Sequence, residues 1–428
     1  MQKDGKYQAL HRDRIIDAVV FALMLVAVSA VTLYLFHMQT LGSPEKGYHS
    51  DMKAYILEMQ GLDSGYSFPY PVFFKIAAFI HLFTSPELAV ALATMLLNSL
   101  AIVFVKLALN RMVLPECGSC GGILKRKWLT GILLSLLSVS LFFISMLYPP
   151  SGIFLPGIKS KYLGVFTPNP FHNATYMAAR PFAILSFLWY VKLLPVYERG
   201  VRTRKNQDGT ALTDYVLFSV FLLAATMTKP SFTIVMAGTA GLIMLYRLCR
   251  RGFRNFVPSI QLGLCFVPTF LDLLYQYNGV FVPADGAEGG IGFCFGEVWG
   301  YYCDNIPLAI GLAVGFPILV LVLNFRELRE NSLYRFSWQI YLVSAAMAFF
   351  LYEKGFRRLD FNFSWSYMYG IFFCHLGALT VLARKTVREG RRRLMPWLLL
   401  GVQWLAYLWY VICGLGYFNV FLSGRMYY

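Results

Sequence analysis

Charge is what this sequence has least of. Asp, Glu, Lys and Arg together make up 14% of its 428 residues, where a soluble globular chain is nearer a quarter. Hydrophobic residues make up 57% and mean hydropathy is +0.56. No polar stretch is long enough to build a separate water-soluble core, which excludes a string of soluble domains. Cysteine is scarce as well, at eight residues. Cys117 and Cys120 form a CGSC pair with no second pair or histidine nearby. Structural zinc wants four ligands, so the pair reads as an ordinary loop. The chain has no Walker sequence, no phosphate-cradling glycine pattern and no kinase-like set, which argues against a nucleotide site. It has no clear internal repeat of the kind many transporters carry. No cleavable signal is expected either, because the first apolar run is about 22 residues, beyond a typical signal core. That run is expected to remain as an anchor.

What is present is a series of apolar runs close to the length that spans a bilayer. They lie at 15–36, 86–109, 128–148, 178–194, 214–228, 231–247, 257–276, 306–324, 336–352, 366–383 and 396–416. The reading is an all-α polytopic membrane protein of about 11 transmembrane helices, a single transmembrane domain over residues 1–428. The 37 Phe, 27 Tyr and 8 Trp suit many helix ends at membrane interfaces. With the N-terminus in the cytoplasm, the inner segments hold 25 of the 38 Lys and Arg, as the positive-inside rule requires. The formal charge of +16 is then a topology signal that also suits anionic lipid, and it argues against a nucleic-acid partner. The outer loops fall at 37–85, 149–177, 277–305 and 353–365. Cys294 and Cys303 both lie in the third, where an oxidising exterior would let them pair.

Polar chemistry collects on that outer side. In the first loop, Tyr48-His49-Ser50-Asp51 precedes Met52, Tyr55, Ile56 and Met59, whose spacing predicts a short amphipathic helix on the membrane surface. Asp51 is either a helix cap or a functional carboxylate, and the two are compatible. The second stretch, TPNPFHNATYMAARPF (167–182), carries Pro168, Pro170 and Pro181, which predict irregular backbone. At membrane depth such backbone must be buried in protein or line a wet cavity. His172 and Asn173 there can donate to anionic oxygens, and Arg180 is placed at the outer mouth of the next helix. Asn173-Ala174-Thr175 is also a formal glycosylation sequon, too near the membrane to be a good acceptor. The third stretch crowds Glu353, Lys354, Arg357, Arg358 and Asp360 into eight residues. Adjacent arginines can clamp a phosphate, while most charge runs are solvated loops that pair internally. Lys229 adds a cation in the turn between two short spans.

Together these stretches describe an outward cavity with a carboxylate, a histidine and several cations. A carboxylate can take a proton from an attacking hydroxyl, and cations can stabilise a departing phosphate. Outer aromatics such as Tyr66, Phe68, Tyr70, Trp299, Trp365 and Tyr367 can stack on sugar rings or anchor the interface.

The layout resembles the GT-C membrane glycosyltransferases, which have many spans, an acid in the first outer loop followed by interfacial helices, and irregular outer loops. HSDMKAYI (49–56), TPNPFHNATY (167–176) and MTKPSF (227–232) are similar to segments of bacterial members. The resemblance implies transfer of a sugar from a polyprenyl-phosphate donor to a saccharide, lipid or protein acceptor on the outer face of a bacterial plasma membrane. By position it makes Asp51 the catalytic base, with His172, Asn173, Lys229, Arg357 and Arg358 around the donor phosphate and His49, Arg180 and Glu353 as secondary candidates. Many members carry two close acids in this loop, whereas Glu58 and Asp63 stand seven and twelve residues from Asp51. No cofactor or resident metal is expected, and a divalent ion is left open. The competing readings are a transporter or flippase for lipid-linked saccharide, and a polymerase or ligase of surface polysaccharide. Mostly uncharged span centres weigh mildly against transport.

Overall fold

The computed structural model describes residues 2–43, 45–117, 127–147, 166–199, 212–280, 289–355, 357–388 and 394–425. Among these the chain is helical nearly throughout. In order it forms α1 (Gln2–Leu41), α2 (Met52–Met59), α3 (Val72–His81), α4 (Pro86–Val113), α5 (Lys127–Ser140), α6 (Ala174–Arg199), α7 (Leu212–Thr226) and α8 (Ser231–Arg250). Then come α9 (Phe256–Leu264), α10 (Val267–Val280), α11 (Glu297–Tyr302), α12 (Ile306–Leu323), α13 (Glu327–Glu330), α14 (Ser332–Phe350), α15 (Ser364–Arg388) and α16 (Leu394–Leu422). Two three-residue strands, β1 (Ile291–Phe293) and β2 (Leu351–Glu353), pair antiparallel.

Each of the eleven apolar runs is helical over most of its described length, the third ending in irregular backbone after Phe143 and the ninth in β2. Seven helices among the described residues are long and apolar enough to cross a membrane, and α9 with α10, bent by 50° at the break between them, makes an eighth if the pair is one span. The helices α5 and α7 are shorter, and α14 carries Arg335 and Gln339 in its first half. The structure therefore supports a multi-pass helical membrane protein and is not by itself a count of eleven.

Contacts between helix ends gather several segments at the two ends of the bundle. At one end, Gln39 of α1 donates to the Phe171 carbonyl (2.9 Å), Val72 N–H donates to Met227 O (3.0 Å), and Ser366 Oγ donates to Ser231 O (2.7 Å). At the opposite end, Glu116 beyond α4 bridges Arg384 and Arg388 of α15 (2.9 and 2.6 Å), and Lys192 of α6 pairs with Asp214 of α7 (2.7 Å). Helix α15 is the axis of the bundle, and its whole apolar window is buried. Gly370 and Gly377 let it lie against α14, where a Cβ would collide with Ser344 and Ser337. Small residues facing each other in this way let helices approach where lipid offers no hydrophobic drive.

The loops depart from the sequence reading in several places. The first loop holds two helices, α2 as expected and α3 in addition. Pro181 does not break the backbone, because α6 begins at Ala174 and runs through both Pro181 and Pro195. The irregular stretch is therefore 166–173, and its residues are buried apart from the half-buried His172. Cys294 and Cys303 are not bonded to each other. Both are buried free thiols, directed at the carbonyls of Phe349 and Asn305. The third and fourth loops meet instead through β1 and β2, with Ile291 opposite Glu353. Cys120 and the remainder of its loop lie outside the described residues.

Candidate active site

Asp51 occupies the N-cap position of α2, yet its side chain makes no capping hydrogen bond. That task falls to Ser50, whose Oγ accepts from Met52 N–H at 3.3 Å. The Asp51 carboxylate turns the other way. Its Oδ2 accepts from Asn173 Nδ2 (3.0 Å) and from the Tyr55 hydroxyl one helical turn on (3.2 Å). The residue itself is exposed and lines a cleft of about 350 Å³ with Gln39, Tyr48, His49, Lys53 and His172.

Asn173 joins two roles that the sequence offered as alternatives. Its Oδ1 accepts from Tyr176 N–H (2.9 Å), so it caps α6. The same oxygen accepts from Lys229 Nζ (3.2 Å) and from Thr175 Oγ1 (3.0 Å). With three donors on the oxygen, the amide nitrogen can only point at Asp51. Asn173 is 3% exposed and fully engaged, which removes the glycosylation reading.

Lys229 ends the turn between α7 and α8, where Pro230 starts the next helix. It is buried, lies 4.5 Å from the Trp365 ring centroid and also donates to Thr175 Oγ1 (3.3 Å). Among the described residues it makes no ion pair with a carboxylate. Burial pulls its amine down to about 8; the Asp51 charge opposes this and the Arg357 charge reinforces it. The Tyr55 and Thr175 hydroxyls lie 3.3 Å apart, with their single protons given to Asp51 and to Asn173 Oδ1, so Lys229 reaches Asp51 through Asn173. Burial, then the Asp51 charge, hold the Tyr55 hydroxyl protonated, with a pKa well above its ordinary value. Burial also dominates at Tyr70, which shifts up in the same direction.

His172 stacks on Phe421 (6.2 Å) and lies tilted against Trp365 (5.6 Å). Burial holds its pKa down to about 4, with Asp51 opposing and Lys229 adding to the shift. The imidazole is therefore neutral at pH 7, a hydrogen-bonding group and not a cation. The loop bearing it is pinned at three points. Gln39 holds the Phe171 carbonyl, Asn169 Nδ2 donates to Ile144 O (2.8 Å), and Arg180 Nη2 donates to Pro168 O (3.3 Å). Arg180 is not at the mouth of its helix. It is 1% exposed, caged by the rings of Phe142, Tyr176 and Phe372 at 5.1–5.6 Å, and serves the loop from behind.

The two adjacent arginines separate. Arg357 pairs with Asp360 (3.2 Å) and Glu353 (3.6 Å), and its charge reaches Lys229 and Tyr70. Arg358 is turned to Glu297 (2.7 Å) and the Tyr352 ring (5.0 Å), so the pair is not a two-arginine clamp. Glu353 is buried, which raises its pKa against the opposing charge of Arg357 and the hydrogen bond from Asn362. No group of three or more His, Cys, Asp or Glu side chains gathers among the described residues.

The cleft wall is also tied to the end of the last helix. Tyr48 N–H donates to Gly424 O (3.0 Å) and its hydroxyl to Leu422 O (2.9 Å). Tyr55, Thr175 and Tyr48 were not singled out in the sequence for these roles. The spacing of four between Asp51 and Tyr55 on one helix face was the signal available. Comparison of the chain with protein-family models, curated proteins and solved structures returned no match. Fold and site together define a multi-pass helical membrane protein with a polar cleft at one end of its bundle.

Proposed function

We propose that this chain is a glycosyltransferase of the GT-C type, moving a sugar from a polyprenyl-phosphate donor to an acceptor at the outer face of a bacterial plasma membrane. The observation that carries the reading is the Asp51 carboxylate. It faces a cleft, is spared from capping, is held by Asn173 and Tyr55, and is linked through Asn173 to Lys229, a buried cation without a carboxylate partner among the described residues. In this reading eleven spans alternate across the membrane with the N-terminus inside, which places the Asp51 end outside. Asp51 takes the proton of the acceptor hydroxyl as that oxygen bonds to the sugar carbon. The bond from that carbon to the phosphate oxygen breaks, and the phosphate leaves with the electron pair. Lys229 and Arg357 supply positive charge for the departing phosphate, and neutral His172 supplies a hydrogen bond.

The test is release of polyprenyl phosphate from a panel of labelled polyprenyl-phosphate sugars by the purified protein and by Asp51→Asn. A general base is worth about 10²–10⁴-fold in rate, and a loss of that size in the variant is the expected result. Release that survives the substitution removes Asp51 from the role. No release from any donor, together with movement of the carrier between leaflets, would replace the enzyme by a flippase.

A further inference from the structure

The seam between α10 and α7 is polar where a membrane helix is usually apolar. Helix α10 exposes Val267, Phe270, Leu271, Leu274 and Tyr275, yet buries Thr269 (0% exposed) and Gln276 (3%) and half-buries Asp272. Positions 269, 272 and 276 share one helix face, and α7 is the element this helix chiefly packs against. Lipid outside and polar contact inside produce such an inverted distribution.

Asp272 Oδ2 accepts from Gln276 Nε2 at 2.7 Å, and the same amide donates to Thr226 O of α7 at 3.2 Å. With its donors so used, Gln276 holds Oε1 buried and without a hydrogen-bond partner, and Thr269 Oγ1 is in the same condition. Asp272 enters no ion pair among the described residues. The titratable groups of α7 do not supply a charge to it. Asp214 is engaged by Lys192 at the far end, and Tyr215 lies by Cys265 at the break between α9 and α10. An ionised carboxylate in a span, held by one amide and facing no cation, is costly.

We propose that this seam is a cation site, in which Asp272 takes up a proton or a sodium ion and the free oxygens of Gln276 and Thr269 favour the bound charge. The donor set is oxygen only, which suits a hard cation and not a thiophilic metal. Occupancy neutralises the carboxylate and fastens the bent half-span to α7, whose end leads into the Lys229 turn. The site is independent of the glycosyltransferase reading.

The experiment is thermal unfolding of the purified full chain in detergent, wild type against Asp272→Asn. One series varies pH from about 5 to 8 without sodium, and the other exchanges choline chloride for sodium chloride at pH 8 and constant ionic strength. A sodium site raises Tm by about 2–4 °C with sodium in the wild type alone. A proton site raises Tm on acidification in the wild type alone, with no sodium response. Equal responses in the two proteins, or none in the wild type, would overturn the proposal. If Asp272→Asn does not fold, Gln276→Met serves. Loss of the hydrogen bond to the carboxylate moves the acid transition to higher pH, loss of the amide oxygen weakens the sodium midpoint about tenfold or more, and unchanged midpoints refute the site.

Discussion

At the scale of single residues, the site depends on side chains whose charge state follows from burial. Lys229 is the clearest case, since desolvation brings its amine down to about 8 from 10.5. The unfolded chain therefore holds this proton between pH 8 and 10.5 while the folded chain has released it, so stability gains with rising pH across that window. In the proposed transfer, donor binding runs the opposite way, because a donor phosphate would need the charged amine. The donor KM should rise as pH passes upward through about 8, and Lys229→Arg, charged throughout, should abolish that limb. A KM flat from pH 7 to 9 in the wild type would remove Lys229 from donor binding. His172 adds nothing to this profile, because it is already neutral above about 4.

At the scale of elements, the cleft is built from segments far apart in sequence. Residues 45–50 pass the end of α16, where Tyr48 meets Leu422 and Gly424, and enter α2. Gly47 sits at φ 74° against the Gly424 carbonyl, where a Cβ would collide, and Tyr48 follows at φ 59°. Gly47→Ala is expected to cost upward of about 1 kcal/mol from the backbone conformation alone, with the collision added. It should lower Tm and speed proteolysis within residues 42–50, whereas Gly61→Ala, with a similar φ of 71° and open space around it, should cost only the backbone part. Equal effects at the two positions would show that the contact with α16 is dispensable. Helix α12 shows the same reliance on a distant partner. Its backbone breaks at Val314 ahead of Pro317, and the Tyr410 hydroxyl accepts from Gly315 N–H (2.6 Å) while donating to Leu312 O (2.6 Å). Backbone groups freed inside a span need such a substitute for water.

At the scale of the whole molecule, alternation of the helices makes a prediction about sidedness. Single cysteines in place of Asp63 and Lys75, both exposed at the Asp51 end, should react with a membrane-impermeant thiol reagent in intact cells. Cysteines in place of Arg111, Arg254 and Arg329, exposed in segments read as inner loops, should react only after permeabilisation. Labelling of both sets from one side would overturn the proposed eleven-span arrangement and with it the proposal that the cleft faces outward.

Composition and apolar run length were enough to read the class, because a bilayer demands long apolar helices and the period and length of those runs are local properties. Asp51, Asn173 and Lys229 could be picked out as polar residues beside spans, and the amphipathic α2 followed from its spacing. Their relations could not. That Asn173 both caps α6 and orients Asp51, that Arg180 is caged behind its loop, and that Arg357 stays near Lys229 while Arg358 turns to Glu297 are facts about distance. Residues 51, 173 and 229 meet only because α2 packs against α1, α3 and α4, α4 packs against α6, and α6 and α8 both lie against α15. A local sequence carries the propensity of a helix; which side chains face each other across helices is decided by the packing of the whole bundle.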